Sequence, residues 1–186
     1  MPPGRKPRSG PGPRKNRLIA MQLLGRYSFK NGAGILEKEK STELSEVLEA
    51  IRRAGLEKCR EPGGLLCSPK KMAREILDYL YSHGWSKPKM PFGEPDSFIE
   101  GDALKDGVGV EIQFGKYSFL GWDSFRKMSL FGKQGVYEFG IEIAPMASLR
   151  RKMSKGVGSF EQVTEKLDRA GNPDLGIPVL VLGIDG

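Results

Sequence analysis

Glu111 and Gln113 stand two residues apart in Val108-Gly-Val-Glu-Ile-Gln-Phe114, where Val108, Val110, Ile112 and Phe114 alternate with them. A period of two describes a strand, so the polar pair leaves one face about 6–7 Å apart while the apolar set leaves the other. A buried carboxylate is costly without a cation, a strong donor or water, so Glu111 needs a partner if its face is covered. Asp102 lies nine residues upstream, across the turn-like Lys105-Asp106-Gly107. A hairpin return there would bring Asp102 alongside Glu111. Two converging carboxylates, with a backbone carbonyl such as that of Ile112, form a hard oxygen site suited to Mg²⁺. The same residues also suit an exposed sheet face with Asp102 capping a loop, and spacing alone does not choose between the two.

The surrounding elements read as α/β. Leu44, Val47, Leu48 and Ile51 recur at helical spacing in Ser41–Leu56, with Ser41 or Thr42 as cap. Ser68-Pro69 opens a second helix that buries Met72, Ile76 and Leu80 and stops near Gly84, with His83 meeting its last carbonyls. Lys87–Pro95 holds three prolines and a glycine and reads as a loop. After the Glu111 strand come a helix from Asp123 to Phe131 and a strand from Val136 to Ala144, with Tyr137, Phe139, Ile141 and Ile143 on one face and Glu138 and Glu142 exposed or salt-bridged. A capping box at Ser159-Phe-Glu-Gln162 opens a helix closed by Gly171, and the wholly apolar Ile177–Ile184 reads as a strand buried on both faces. Helices followed by strand, helix, strand, helix, strand describe a mixed central β-sheet flanked by helices.

Composition narrows the chemistry. The 186 residues suit one domain with a tail, and no apolar run approaches the roughly 18 residues of a membrane span. The N-terminus lacks a signal-peptide core, so the expectation is a cytoplasmic protein without a membrane partner. Cys59 and Cys67 form no pairing motif, as in a reducing compartment. His83 is the sole histidine, which excludes a multi-histidine metal cage and leaves carboxylates as the main source of chemistry. The net charge of +7 is concentrated at the front. Residues 1–17 carry six basic and no acidic side chains, leaving 24 against 23 in the rest. Residues 1–20 are therefore expected to be a disordered, basic Pro/Gly-rich leader, with Met21 as an alternative start. Seven basic residues between Arg126 and Lys155, Lys127 among them, face only Glu138 and Glu142 in sequence. Such a cluster matters if it borders a site for a polyanion.

Asp102, eight intervening residues, then Glu111-Ile112-Gln113 resembles the metal motif of the PD-(D/E)xK nuclease superfamily, in the variant where Gln replaces Lys. The string Val110-Glu-Ile-Gln-Phe-Gly-Lys-Tyr-Ser-Phe119 is similar to the BglII/BstYI family of type II restriction endonucleases, and most to its BstYI branch. Cys67-Ser-Pro69, Gly84-Trp85, Gly140-Ile-Glu-Ile-Ala-Pro-Met146, Met153-Ser-Lys-Gly156 and Pro178-Val-Leu-Val-Leu-Gly-Ile184 extend the resemblance from about Tyr27 to the end. The stretch from Trp85 to Asp102 is shorter than in that family, and the leader has no counterpart.

The resemblance implies a restriction-endonuclease-like core over residues 21–186 as a single endonuclease domain. It implies a homodimeric, Mg²⁺-dependent prokaryotic enzyme that cuts double-stranded DNA at a palindrome with a GATC core, RGATCY-like, leaving 5′ overhangs. Asp102 and Glu111, with the carbonyl of Ile112, would hold the metal, and Gln113 would orient the attacking water. Lys116, Ser154 and Lys155 would lie near DNA as base readers, with phosphate contact the alternative for each lysine. A GATC-cutting enzyme also implies a cognate DNA methyltransferase to protect the host. The competing readings are a non-restriction Mg²⁺-dependent nuclease on the same fold and a catalytically inactive, sequence-specific DNA-binding protein.

Overall fold

An uninterrupted apolar strand belongs where both faces are covered, and β7 (Val179–Asp185) has its first six residues buried. A computed structural model describes residues 21–55, 68–115, 124–153, 155–170 and 175–186. In it β7 pairs in parallel with β6 (Phe139–Pro145), which pairs in parallel with β5 (Val108–Ile112). Antiparallel strands complete the sheet: β1 (Gln22–Phe29) on β7 and β4 (Ala103–Lys105) on β5, in the order β1-β7-β6-β5-β4. The α/β architecture with a mixed sheet flanked by helices, expected from the sequence, is the one found.

Each face of the sheet has its own core. Val108, Val110, Ile141 and Ile143 pack with α1 (Gly32–Glu39), α2 (Ser41–Arg53) and α3 (Pro69–Ser82) through Leu36, Val47, Ile51, Met72, Ile76 and Leu80. Ala144, Val179 and Val181 pack with α4 (Ser124–Lys133) and α6 (Phe160–Ala170) through Met128, Phe131, Val163 and Leu167. Helix ends follow the sequence signals where polar caps exist. The Ser68 hydroxyl accepts the Lys71 N–H at 3.4 Å with Pro69 in the first turn, and the Ser159 N–H donates to Gln162 Oε1 at 3.1 Å, the return half of a capping box. His83 ends α3, its Nδ1 2.8 Å from the Tyr79 carbonyl and its ring stacked on Tyr79. Among the described residues, no helix is long and apolar enough to cross a membrane.

Four features depart from the sequence reading. Strand β1 and helices α1 and α5 (Ala147–Arg150) add to the expected elements. Lys40, not Ser41 or Thr42, stands at the start of α2, because α1 runs directly into it and the Lys40 N–H still bonds the Leu36 carbonyl. The expected loop Lys87–Pro95 contributes β2 (Lys89–Pro91), paired with β3 (Phe98–Glu100) in a separate two-stranded ribbon; Pro91 is tolerated on so short an edge. Finally, β6 begins at Phe139. Val136 and Tyr137 donate their N–H groups to the Phe131 carbonyl, which breaks the alternation and turns Tyr137 to the face opposite Ile141 and Ile143.

Candidate active site

The turn Lys105-Asp106-Gly107-Val108 fixes the register of everything that follows. Asp106 and Gly107 both have positive φ, 46° and 80°, the primed geometry whose twist suits a two-residue hairpin and favours Asp-Gly. Lys105 then faces Val108 and Ala103 faces Val110, so the next position along the hairpin sets Asp102 opposite Glu111. Asp102 Oδ2 accepts the Ile112 N–H at 2.7 Å. The Ile112 carbonyl accepts the Phe114 N–H at 3.1 Å and keeps a second lone pair. The Tyr81 hydroxyl donates to the Asp102 backbone carbonyl at 2.6 Å, tying the end of α3 to this corner.

Glu111 lies on the other core's face and is 2% exposed. Its Oε1 accepts the Tyr137 hydroxyl at 3.1 Å, and Lys127 Nζ of α4 lies 3.5 Å from Oε2. Two glycines make room for this arrangement. A methyl group at Gly109 would strike the Tyr137 ring, and one at Gly101 would strike its hydroxyl and stand 2.9 Å from Glu111 Oε1. Glu142 is the in-register neighbour of Glu111 on β6 and is fully buried, which removes the exposed one of the two states expected for it, exposed or salt-bridged. Gln113, just past β5, is also buried, and its N–H continues the pairing by donating to the Ile143 carbonyl at 2.8 Å.

Burial dominates the electrostatics. It pushes the Glu111 carboxyl up to about 8, with the charge of Asp102 adding to the shift and Lys127 and Tyr137 opposing it. Burial also raises Asp102, against the stabilising Ile112 N–H and the positive charges of Lys127 and Lys87. The Tyr137 hydroxyl is raised by burial first and by Glu111 second, so it remains a donor. Both carboxyls resist ionisation, chiefly through burial and, for Glu111, also through the charge of Asp102; a divalent cation would relieve that resistance.

The donor set fits such an ion. Asp102, Glu111 and the Ile112 carbonyl supply hard oxygens, and among the described residues no group of three or more His, Cys, Asp or Glu side chains gathers as an all-protein cage. Mg²⁺ commonly takes one or two carboxylates and completes its shell with water and substrate phosphate. Lys155 is exposed and lines, with Ser68, Lys70, Ile112 and Phe114, an open cleft of about 440 Å³ at the end of β5. Neither Asp102 nor Glu111 lines this cleft, which meets the candidate site only at Ile112. Lys116 and Ser154 lie outside the described residues. The sequence reading did not single out Lys127 or Tyr137; Lys127 was visible only as one of a basic cluster, and Tyr137 only as part of an apolar face.

A family model for the restriction endonuclease BglII/BglIII matches residues 24–184. The chain belongs to that family. As a BglII/BglIII-family restriction endonuclease it is a nuclease, hydrolysing DNA phosphodiester bonds. Its fold is similar to the crystal structure of restriction endonuclease BglII complexed with a DNA 16-mer, with a TM-score of 0.70, 19% identity, and coverage of 90% of this chain and 79% of that one. It is also similar to free BglII, with a TM-score of 0.59, 18% identity, and coverage of 89% and 79%. No curated protein matches by sequence.

Proposed function

We propose that this family member is a type II site-specific deoxyribonuclease of the PD-(D/E)xK superfamily, in its Gln variant, dependent on Mg²⁺. The observation that supports this is the hairpin register, which sets Asp102 opposite Glu111, with Asp102 accepting the Ile112 N–H. Asp102, Glu111 and that carbonyl would hold the ion. When bound, Mg²⁺ supplies an acidified water and positive charge for the phosphate undergoing attack. Gln113 orients the nucleophile by hydrogen bonding; an amide has no usable proton equilibrium and does not act as general base. Tyr137 holds the Glu111 carboxylate in place from below, and the Ile112 N–H does the same for Asp102.

The substrate is duplex DNA, as the DNA-complexed BglII structure suggests by analogy, at a palindrome with a GATC core, RGATCY-like, cut to leave 5′ overhangs. A twofold target is matched most simply by a twofold protein, so the enzyme acts as a homodimer. Lys155, on the cleft beside Ile112, and Lys116 and Ser154 in the flanking segments are the candidate DNA contacts. Residues 21–186 form one endonuclease domain, and residues 1–20 are a leader dispensable for cutting. The enzyme acts in the prokaryotic cytoplasm beside a cognate methyltransferase that shields host GATC sites. Digestion of unmethylated plasmid with Mg²⁺, followed by sequencing of the ends, tests the proposal. Discrete fragments with GATC-core 5′ overhangs are expected; a random ladder, or no cutting with any divalent metal, overturns it.

A further inference from the structure

Glu111 is 3% exposed through its side chain, while Lys127, its ion-pair partner, is 29% exposed. The ammonium therefore reaches the buried carboxylate from the solvent side. Its neighbours on α4, Phe125, Met128 and Phe131, are buried and anchor the helix, so the long Lys127 stem can swing without unpacking α4. Glu111 Oε1 already accepts the Tyr137 hydroxyl, which leaves Oε2, the oxygen facing Lys127, as the more open position for a second cation. An ammonium and a divalent ion repel each other strongly at such range. The positive charge of Lys127 also acts on Asp102, so one side chain offsets both carboxylates of the pair.

We propose that Lys127 is the resident counter-ion of Glu111, displaced when a divalent cation enters, and that the released ammonium then turns to the phosphate of bound DNA. The inference rests on the metal site proposed above. It makes two effects of one side chain opposite in sign: Lys127 weakens metal binding in the absence of DNA and promotes cleavage in its presence. A merely structural lysine would not separate them, since its loss would weaken both.

The test, at pH 8.5 where the Glu111 carboxyl is ionised, is Mn²⁺ binding to the full chain without DNA, followed by the loss of the free-ion electron paramagnetic resonance signal, beside single-turnover cleavage of duplex DNA with Mg²⁺. Lys127→Met is expected to bind Mn²⁺ about five- to tenfold more tightly than wild type, the scale of a partly exposed ion pair, and to cleave about tenfold or more slowly. Lys127→Arg retains the charge and is expected to bind Mn²⁺ within about twofold of wild type. Lys127→Gln provides the same comparison should the methionine variant fold poorly. Unchanged or weaker Mn²⁺ binding in folded Lys127→Met or Lys127→Gln overturns the inference alone, provided Glu111→Gln loses the ion. If wild type binds no Mn²⁺, or Glu111→Gln binds it equally well, the metal site itself is wrong and the role of Lys127 falls with it.

Discussion

Replacing Glu111 by Gln is expected to stabilise the metal-free protein at alkaline pH while disabling it as an enzyme. The buried carboxyl moves from its ordinary 4.5 to about 8, chiefly through desolvation and then through Asp102. In the unfolded chain Glu111 ionises near 4.5, whereas the folded chain keeps its proton until about pH 8. Between those values the native state binds more protons, so stability falls as pH rises through the window and is fully present only below it. Each unit is worth about 1.4 kcal/mol, which gives a cost of about 3–5 kcal/mol by pH 8.5 and about 1 kcal/mol or less at pH 5. A Gln side chain has similar shape, can still accept from Tyr137 and never carries the charge. Urea denaturation in EDTA should therefore show Glu111→Gln more stable than wild type by several kcal/mol at pH 8.5 and nearly equal to it at pH 5. A gain of that size corresponds to a shift in midpoint temperature on the order of 10 °C for a protein of this length. Equal stability at pH 8.5, or a gain independent of pH, would refute the assignment of Glu111 as a charge held at the expense of the fold.

Other perturbations follow from the same geometry. Tyr137→Phe keeps the ring stacked on Phe131 but removes the donor to Glu111; it should cost about 1–3 kcal/mol at pH 8.5 and move the acid limb of the cleavage profile to higher pH. Gly101→Ala forces a methyl group against the Tyr137 hydroxyl and Glu111. Displacement of the carboxylates by even about 1 Å should slow single-turnover cleavage by about a hundredfold. A chain beginning at Met21 is expected to fold and cut like the full one, measured by circular dichroism and plasmid digestion; loss of the folded signal would give the leader a structural part.

The central pairing was legible because its signals are local. Asp106-Gly107 calls for a primed turn, the period of two in Val108–Ile112 fixes which side chains share a face, and together they align Asp102 with Glu111. Buried helices α2 and α3 and the apolar β7 were equally plain, since each carries its own periodicity or continuous run. What the sequence concealed depends on tertiary contact. Gln22–Phe29 becomes an edge strand because β7 offers it a partner, although its own burial is patchy. Lys89–Pro91 pairs with Phe98–Glu100 despite its prolines. Tyr137 matched the alternation of Ile141 and Ile143, yet the Phe131 carbonyl captures its backbone and sends the ring beneath Glu111. Glu142 resembled a solvent-facing strand residue, because charge alone does not reveal that α4 and α6 cover that face. Nothing in the spacing of Lys127 distinguishes it from its basic neighbours; only the packing of α4 over β5 brings it to Glu111.

The claim that Asp102 and Glu111 together hold the catalytic ion is tested most directly by single-turnover nicking of end-labelled duplex DNA with Mg²⁺, comparing wild type, Asp102→Asn and Glu111→Gln alongside their DNA affinities. Both variants are expected to bind cognate duplex nearly as tightly as wild type and to leave it uncut. Nicking at the wild-type rate by either one contradicts the site.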